Sequence, residues 1–178
     1  MSESGLRDYA AAKRKAASRL GVSDEAALPK NSEIEEALRT HQRLFAGDAH
    51  AQHLRALRDS ALEAMRFFST FDPRLVGAVL DGTADRHSAV CLHLFSDDPD
   101  APIRLLDEQG IPYETKQRRL HLTPDRYVEF QVVVFAADDT AIDLTIFPHD
   151  ALRQPPLDRV DGKPMQRATH DIVKALLG

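Results

Sequence analysis

A chain of 178 residues, 43% of them hydrophobic and 29% charged, has the size and composition of one soluble globular domain with room for a helical extension. Its net charge of −5 provides no surplus of Lys and Arg for a broad nucleic-acid footprint. The single cysteine excludes an intramolecular disulfide framework and a Cys-rich structural zinc site, and no run of about 18 apolar residues is present to span a membrane.

Residues 1–70 predict three helices, an N-terminal extension to an α+β domain over 71–178. Leu6, Tyr9, Ala10, Ala16, Ala17 and Leu20 keep helical spacing up to Gly21, and no apolar signal core precedes them. Arg7, Lys13, Arg14, Lys15 and Arg19 make this helix basic, either as a solvated face or as a docking surface for an acidic protein partner. A second helix is expected near Asn31, with Ser32 and Glu35 in a capping-box pattern ahead of Ile34, Ala37, Leu38, Leu44 and Phe45. The third follows Asp48 and carries Leu54, Leu57, Ala61, Ala64, Met65 and Phe68 on one face.

After Pro73 the period changes. Residues 74–80, 89–95, 126–135 and 141–147 are strand-like, and 111–122 offers one or two short strands more. An amphipathic segment from Pro102 to Gln109 ends at Gly110, and Asp138-Asp139 has the form of a hairpin turn. Residues 148–164 hold four of the ten prolines and read as an extended loop before a last helix at about 166–177. Asp97, Asp98 and Asp100 read as a turn and capping cluster, because Pro102 suits a first helical turn.

Residues 77–92, GAVLDGTADRHSAVCL, resemble the opening motif of the nucleotidyltransferase superfamily, the polymerase-β-like group with its minimal members. Without a gap, Gly77 and Gly82 take the two glycine positions and Ser88 the serine before the metal motif. Val90 and Leu92 take its hydrophobic positions. The resemblance implies a mixed sheet flanked by helices, with a turn whose backbone amides approach a triphosphate closely. It also implies two aspartates on one strand face and a third carboxylate on a neighbouring strand, which together hold divalent metals. AIDLTIF resembles that third strand and puts Asp143 in the catalytic carboxylate position.

The departures are specific. Ala89 and Cys91 stand at the two aspartate positions, Ala78 replaces the small polar residue after the first glycine, and Asp81 stands where many members carry a base. Alanine ligates nothing, and a thiol is a poor ligand for Mg²⁺. The expected protein is therefore a bacterial, cytoplasmic pseudoenzyme that binds or regulates, with a nucleotide or other phosphorylated small molecule as ligand and no metal or cofactor. The alternative is an active transferase using Mg²⁺ at a site rearranged around Asp143 with Glu129 or Asp97. A protein-interaction module built on the N-terminal helices is a third reading.

Strand alternation predicts a second polar set. Cys91 and His93 share a face, as do Asp143 and Thr145, and as do Glu129 and Gln131. If the opposite faces form the core, these six line one polar surface for zinc, thiol or non-metal binding. Cys91 as a half-buried residue, with His93 bonded to Asp143 or Glu129, is the plainer alternative. Arg153, Arg159, Lys163 and Arg167 lie in the proline-rich loop, where they either meet a phosphate or carboxylate or simply tie down the last helix. Neither G-x-x-x-x-G-K-[ST] nor G-x-G-x-x-G occurs, which sets aside P-loop and dinucleotide-binding folds.

Overall fold

The computed structural model describes residues 29–45 and 47–178; the helix expected over 6–20 lies outside them. Helix α1 (Asn31–Phe45) begins where the Lys30 N–H donates to Glu33 Oε2 at 2.6 Å, which satisfies one amide of the first turn. Helix α2 (Gly47–Phe67) buries Leu57, Ala61, Leu62, Ala64 and Met65, with Phe68 just beyond its end. No helix among the described residues is long and apolar enough to cross a membrane.

Strand β1 (Arg74–Val76) is shorter than the expected 74–80. Gly77, at φ 74° and ψ −153°, breaks the extended backbone and starts a single helical turn, α3 (Ala78–Asp81), capped by Gly82 at φ 80°. The freed carbonyls find partners locally and in α2. Ala78 O accepts from Thr83 N at 2.9 Å, and Arg58 donates to Val79 O and Leu80 O, each at 3.2 Å. That accounting makes the turn a defined structure rather than a strand end.

The remaining elements are β2 (Val90–Phe95), α4 (Ala101–Glu108), β3 (Tyr113–Thr123), β4 (Arg126–Ala137), β5 (Thr140–Phe147) and α5 (His170–Ala175). They form an α+β fold on a five-stranded mixed sheet of order β1-β2-β5-β4-β3. Strands β2 and β5 run parallel; the other neighbours are antiparallel. Asp138-Asp139 joins β4 to β5 as expected, with Asp138 at φ 51°. Pro102 sits in the first turn of α4, and the acidic cluster before it is a turn in which Asp98 pairs with Arg104.

Both sheet faces are covered. One presents Leu75, Leu92, Leu94, Val133, Leu144 and Ile146 to α2 in the main core. The other carries a smaller cluster of Phe95, Leu120, Phe130 and Phe147. The C-terminal segment bridges the sheet's two edges. Leu157 N donates to His121 O of β3 at 2.7 Å, and Leu75 and Ala168 exchange two 2.9 Å hydrogen bonds beside β1. Between these anchors the chain folds into a hairpin, with Leu157 bridged to Pro164 and Gly162 at φ 70°. The loop expected over 148–164 therefore has internal order, including a 3-10 turn (His149–Arg153), and the last helix is shorter than predicted.

Candidate functional site

The second sheet face carries the chemistry. Cys91 and Asp143 are direct neighbours across β2 and β5, and so are His93 and Thr145. Asp143 is 1% exposed, yet it lies under a cationic cover. Arg118 reaches over β4 from β3 and donates Nη1 and Nη2 to the two carboxylate oxygens at 2.8 Å each. The same Nη1 lies 2.8 Å from Thr145 Oγ1, and Lys116 Nζ is 3.7 Å from Asp143 Oδ2. Burial lowers the affinity of Arg118 for its proton, but the bond to Asp143 and its charge outweigh that and hold the guanidinium above its ordinary value. Arg118 and Lys116 thus bring to this carboxylate about the charge of one divalent ion. Among the described residues no group of three or more His, Cys, Asp or Glu is placed to hold a metal.

Cys91 is half-buried and its Sγ lies 3.8 Å from Ala89 O. Desolvation first, and the neighbouring Asp143 charge second, push its thiol up to about 12. At neutral pH it is a thiol and a weak nucleophile. His93 is buried, packs against Phe147 with ring centres 4.5 Å apart and planes tilted by 52°, and accepts from Arg167 Nε through Nδ1 at 3.0 Å. It bonds neither Asp143 nor Glu129, the partners expected from sequence. Burial, then the Arg167 and Arg118 charges, hold it well below the ordinary imidazole value, so it is neutral.

Arg167 comes from the C-terminal bridge, opposite β1. Its guanidinium lies 4.9 Å and 5.0 Å from the ring centres of Phe95 and Phe147, and Nη1 donates to Ala151 O at 2.8 Å. Nη2 is buried with no hydrogen-bond partner among the described residues. Burial and the neighbouring Arg74 lower Arg167 to about 10, leaving it charged at neutral pH.

The glycine turn borders a separate cavity of about 900 Å³, lined by α1, the start of α2, Gly77, Gly82 and residues of the 158–166 hairpin. Its charged lining is Glu35, Glu36, Asp81, Asp158 and Asp161 against Arg39 and Lys163. Lys163 is 3.9 Å from Asp161 and Arg39 is 4.0 Å from Glu35, so both cations already have acidic neighbours. Asp81 is exposed by area, yet desolvation raises it to about 6, with Arg39 opposing the shift and Glu35, Asp158 and Asp161 adding to it. Helix α2 clamps the turn from behind, with His50 Nε2 3.3 Å from Gly82 O and His53 Nε2 3.1 Å from Asp85 O.

The sequence-predicted residues therefore divide among several places. Gly77, Gly82 and Lys163 meet at the cavity, while Cys91, His93 and Asp143 share the sheet face. Ala78 is half-buried at the start of α3, and Ser88 closes a turn with Asp85, its Oγ 3.0 Å from Asp85 Oδ1. Arg153 is exposed at the end of the 3-10 turn. Glu129 and Gln131 are not on the Cys91 face. Val132 pairs directly with Thr145, which turns Val128, Phe130 and Val132 toward that face and Glu129 to the other, 3.6 Å from Arg119. The single polar surface of six residues is corrected to four.

Sequence reasoning missed Arg118 and Lys116. Their signal was available: cations two residues apart on the strand face that continues through Leu120 and Leu122, a frame half apolar and half basic. Arg74 was missed as well; it pairs with His93 in register. No protein-family model and no curated protein matches the chain.

Proposed function

We propose that this chain is a nucleotidyltransferase-fold protein whose metal site has been retired, acting by binding a nucleotide or another phosphorylated small molecule rather than by transferring a nucleotidyl group. The observation that carries the reading is the Arg118–Asp143 fork. The one carboxylate kept from the motif has both oxygens occupied by a guanidinium, beside a neutral thiol at the position of a second ligand. Two-metal transfer uses about three carboxylate charges to hold its ions. Here Ala89 contributes none, Cys91 is held protonated, and Asp143 is neutralised by its neighbours.

A strand, a glycine turn, an antiparallel strand and a parallel third strand support the kinship with that superfamily, as does the direct pairing of positions 91 and 143. The decisive measurement is pyrophosphate release from each nucleoside triphosphate with Mg²⁺ or Mn²⁺ and the purified protein. No turnover above the buffer rate is expected. Metal-dependent transfer that disappears in Asp143→Ala, with that variant still folded, would overturn the proposal.

A further inference from the structure

The sheet face beside His93 holds two arginines, Arg74 and Arg167, that form no ion pair with a carboxylate among the described residues. Arg167 spends its contacts on neutral groups: His93 Nδ1 at 3.0 Å, Ala151 O at 2.8 Å and the rings of Phe95 and Phe147. Arg74 stands next to His93 in register and donates Nη1 to the carbonyls of Asp72 and Pro73, at 2.9 and 3.1 Å. Arg118 on the same face shows the contrast, because Asp143 meets its charge. Like charges side by side on a half-buried surface repel, and a donor sealed from water is costly until an acceptor reaches it. Arg167 Nη2 is such a donor.

We propose that Arg167 and Arg74 form an anion site, and that the phosphoryl group of a small-molecule ligand binds between the two guanidinium groups with Arg167 Nη2 donating to it. The inference rests on the ligand-binding reading above. It moves the ligand's anionic end away from the glycine turn, whose cavity is lined by five carboxylates and two cations that already have acidic neighbours. The chemistry is suited to phosphate. A guanidinium is planar, permanently charged and able to donate two parallel hydrogen bonds, and the rings of Phe95 and Phe147 hold the plane of Arg167 in place. His93, neutral and engaged through Nδ1, orients Arg167 without adding a competing negative charge. The 3-10 turn packed on this guanidinium is a surface element with Leu152 and Arg153 exposed, so admitting a ligand disturbs one turn and leaves the core intact.

The test is a titration of the full chain with inorganic phosphate at fixed ionic strength, with chloride as the replaced anion, read by thermal unfolding and by the Arg Nε–H resonances. A saturable rise in Tm is expected, weakened by about tenfold in apparent affinity or more in Arg74→Gln. Arg167→Gln should abolish it. If that variant does not fold, Arg74→Gln and Arg74→Lys carry the test, with lysine giving an intermediate response because it keeps the charge and loses the fork. Arg39→Gln, which removes a cation of the glycine-turn cavity, should leave the response unchanged. The proposal is overturned by a phosphate effect no greater than that of chloride, by an undiminished response in Arg74→Gln, or by loss of the response in Arg39→Gln. Pyrophosphate release measured on the same samples separates the two claims: silence there with no phosphate binding sinks the anion site alone, and metal-dependent transfer sinks the non-catalytic reading.

Discussion

Arg118 holds both oxygens of Asp143 at 2.8 Å although β4 lies between their strands. The pair is buried on the carboxylate side and nearly so on the arginine side, at 2% and 12% side-chain exposure. Removing Arg118 therefore leaves the buried carboxylate with the more distant Lys116 as its one cation among the described residues, 3.7 Å away.

Arg118→Met is expected to destabilise the protein by about 3–5 kcal/mol, the range for breaking a buried pair from one side. The double variant Arg118→Met with Asp143→Leu should recover most of that loss, since no buried charge is then left and the partly exposed Lys116 can turn to water. Urea unfolding of the two variants checks this; a double variant as unstable as the single one would show that the pair does more than neutralise itself.

The two glycines of the turn should respond differently to a side chain. Gly77 occupies a backbone region essentially closed to other residues, and no atom lies within 4 Å of an added Cβ, so Gly77→Ala isolates the backbone penalty of about 1–3 kcal/mol. Gly82 is left-handed at φ 80° and ψ 14°, a conformation asparagine tolerates. Gly82→Asn should therefore cost less than about 1 kcal/mol, with its Cβ in ordinary contact with Leu54 at 3.7 Å. Equal losses in the two variants would be inconsistent with this turn.

Two buried or crowded groups pull the acid response in opposite directions. His93 is held well below its ordinary 6.5 in the fold, so below that pH the unfolded chain takes up a proton that the folded chain refuses. Stability is lost as pH falls. Asp81 is raised from 3.8 to about 6, so between those values the folded chain holds the extra proton and stability rises as pH falls, modestly because the residue is exposed. Comparing Tm at pH 7.5 and 5 should show a smaller acid loss in His93→Asn than in the parent and a larger one in Asp81→Asn. The reverse order would contradict both assignments.

Cys91 should behave as an inert packing residue. With its thiol pushed up to about 12, alkylation by iodoacetamide at pH 7.5 is expected to be far slower in the folded protein than in urea. Rapid labelling of the folded chain would reveal an activated thiolate.

Much of the sheet was legible because alternation is a local signal. The runs ending β2, β4 and β5 each appear within a few residues of their observed limits, and Asp138-Asp139 marks its own turn. β1 was overextended because Val-Gly-Ala-Val-Leu is as apolar in a helical turn as in a strand, and only the positive φ at Gly77 decides between them. Glu129 was put on the wrong face for a different reason. β4 has apolar residues in both frames, Val128–Phe130–Val132 and Val133–Phe135, and both are used because the sheet is covered on both sides. The Arg118–Asp143 and Arg167–His93 contacts depend on register across strands distant in the chain, which no short window of sequence carries.

The hydrogen bonds that close β1 and reach β3 come from Ala168 and Leu157, residues made long after the strands they protect. During synthesis the five strands emerge first, and the outer edge of β1 waits for the segment that carries Arg167. A nascent chain stalled before that point presents open strand edges to its neighbours on the same message. Cutting the chain after Gln154 should therefore yield inclusion bodies or edge-paired oligomers rather than a smaller monomer, because the segment that follows the strands is the one whose hydrogen bonds occupy the free edges of β1 and β3.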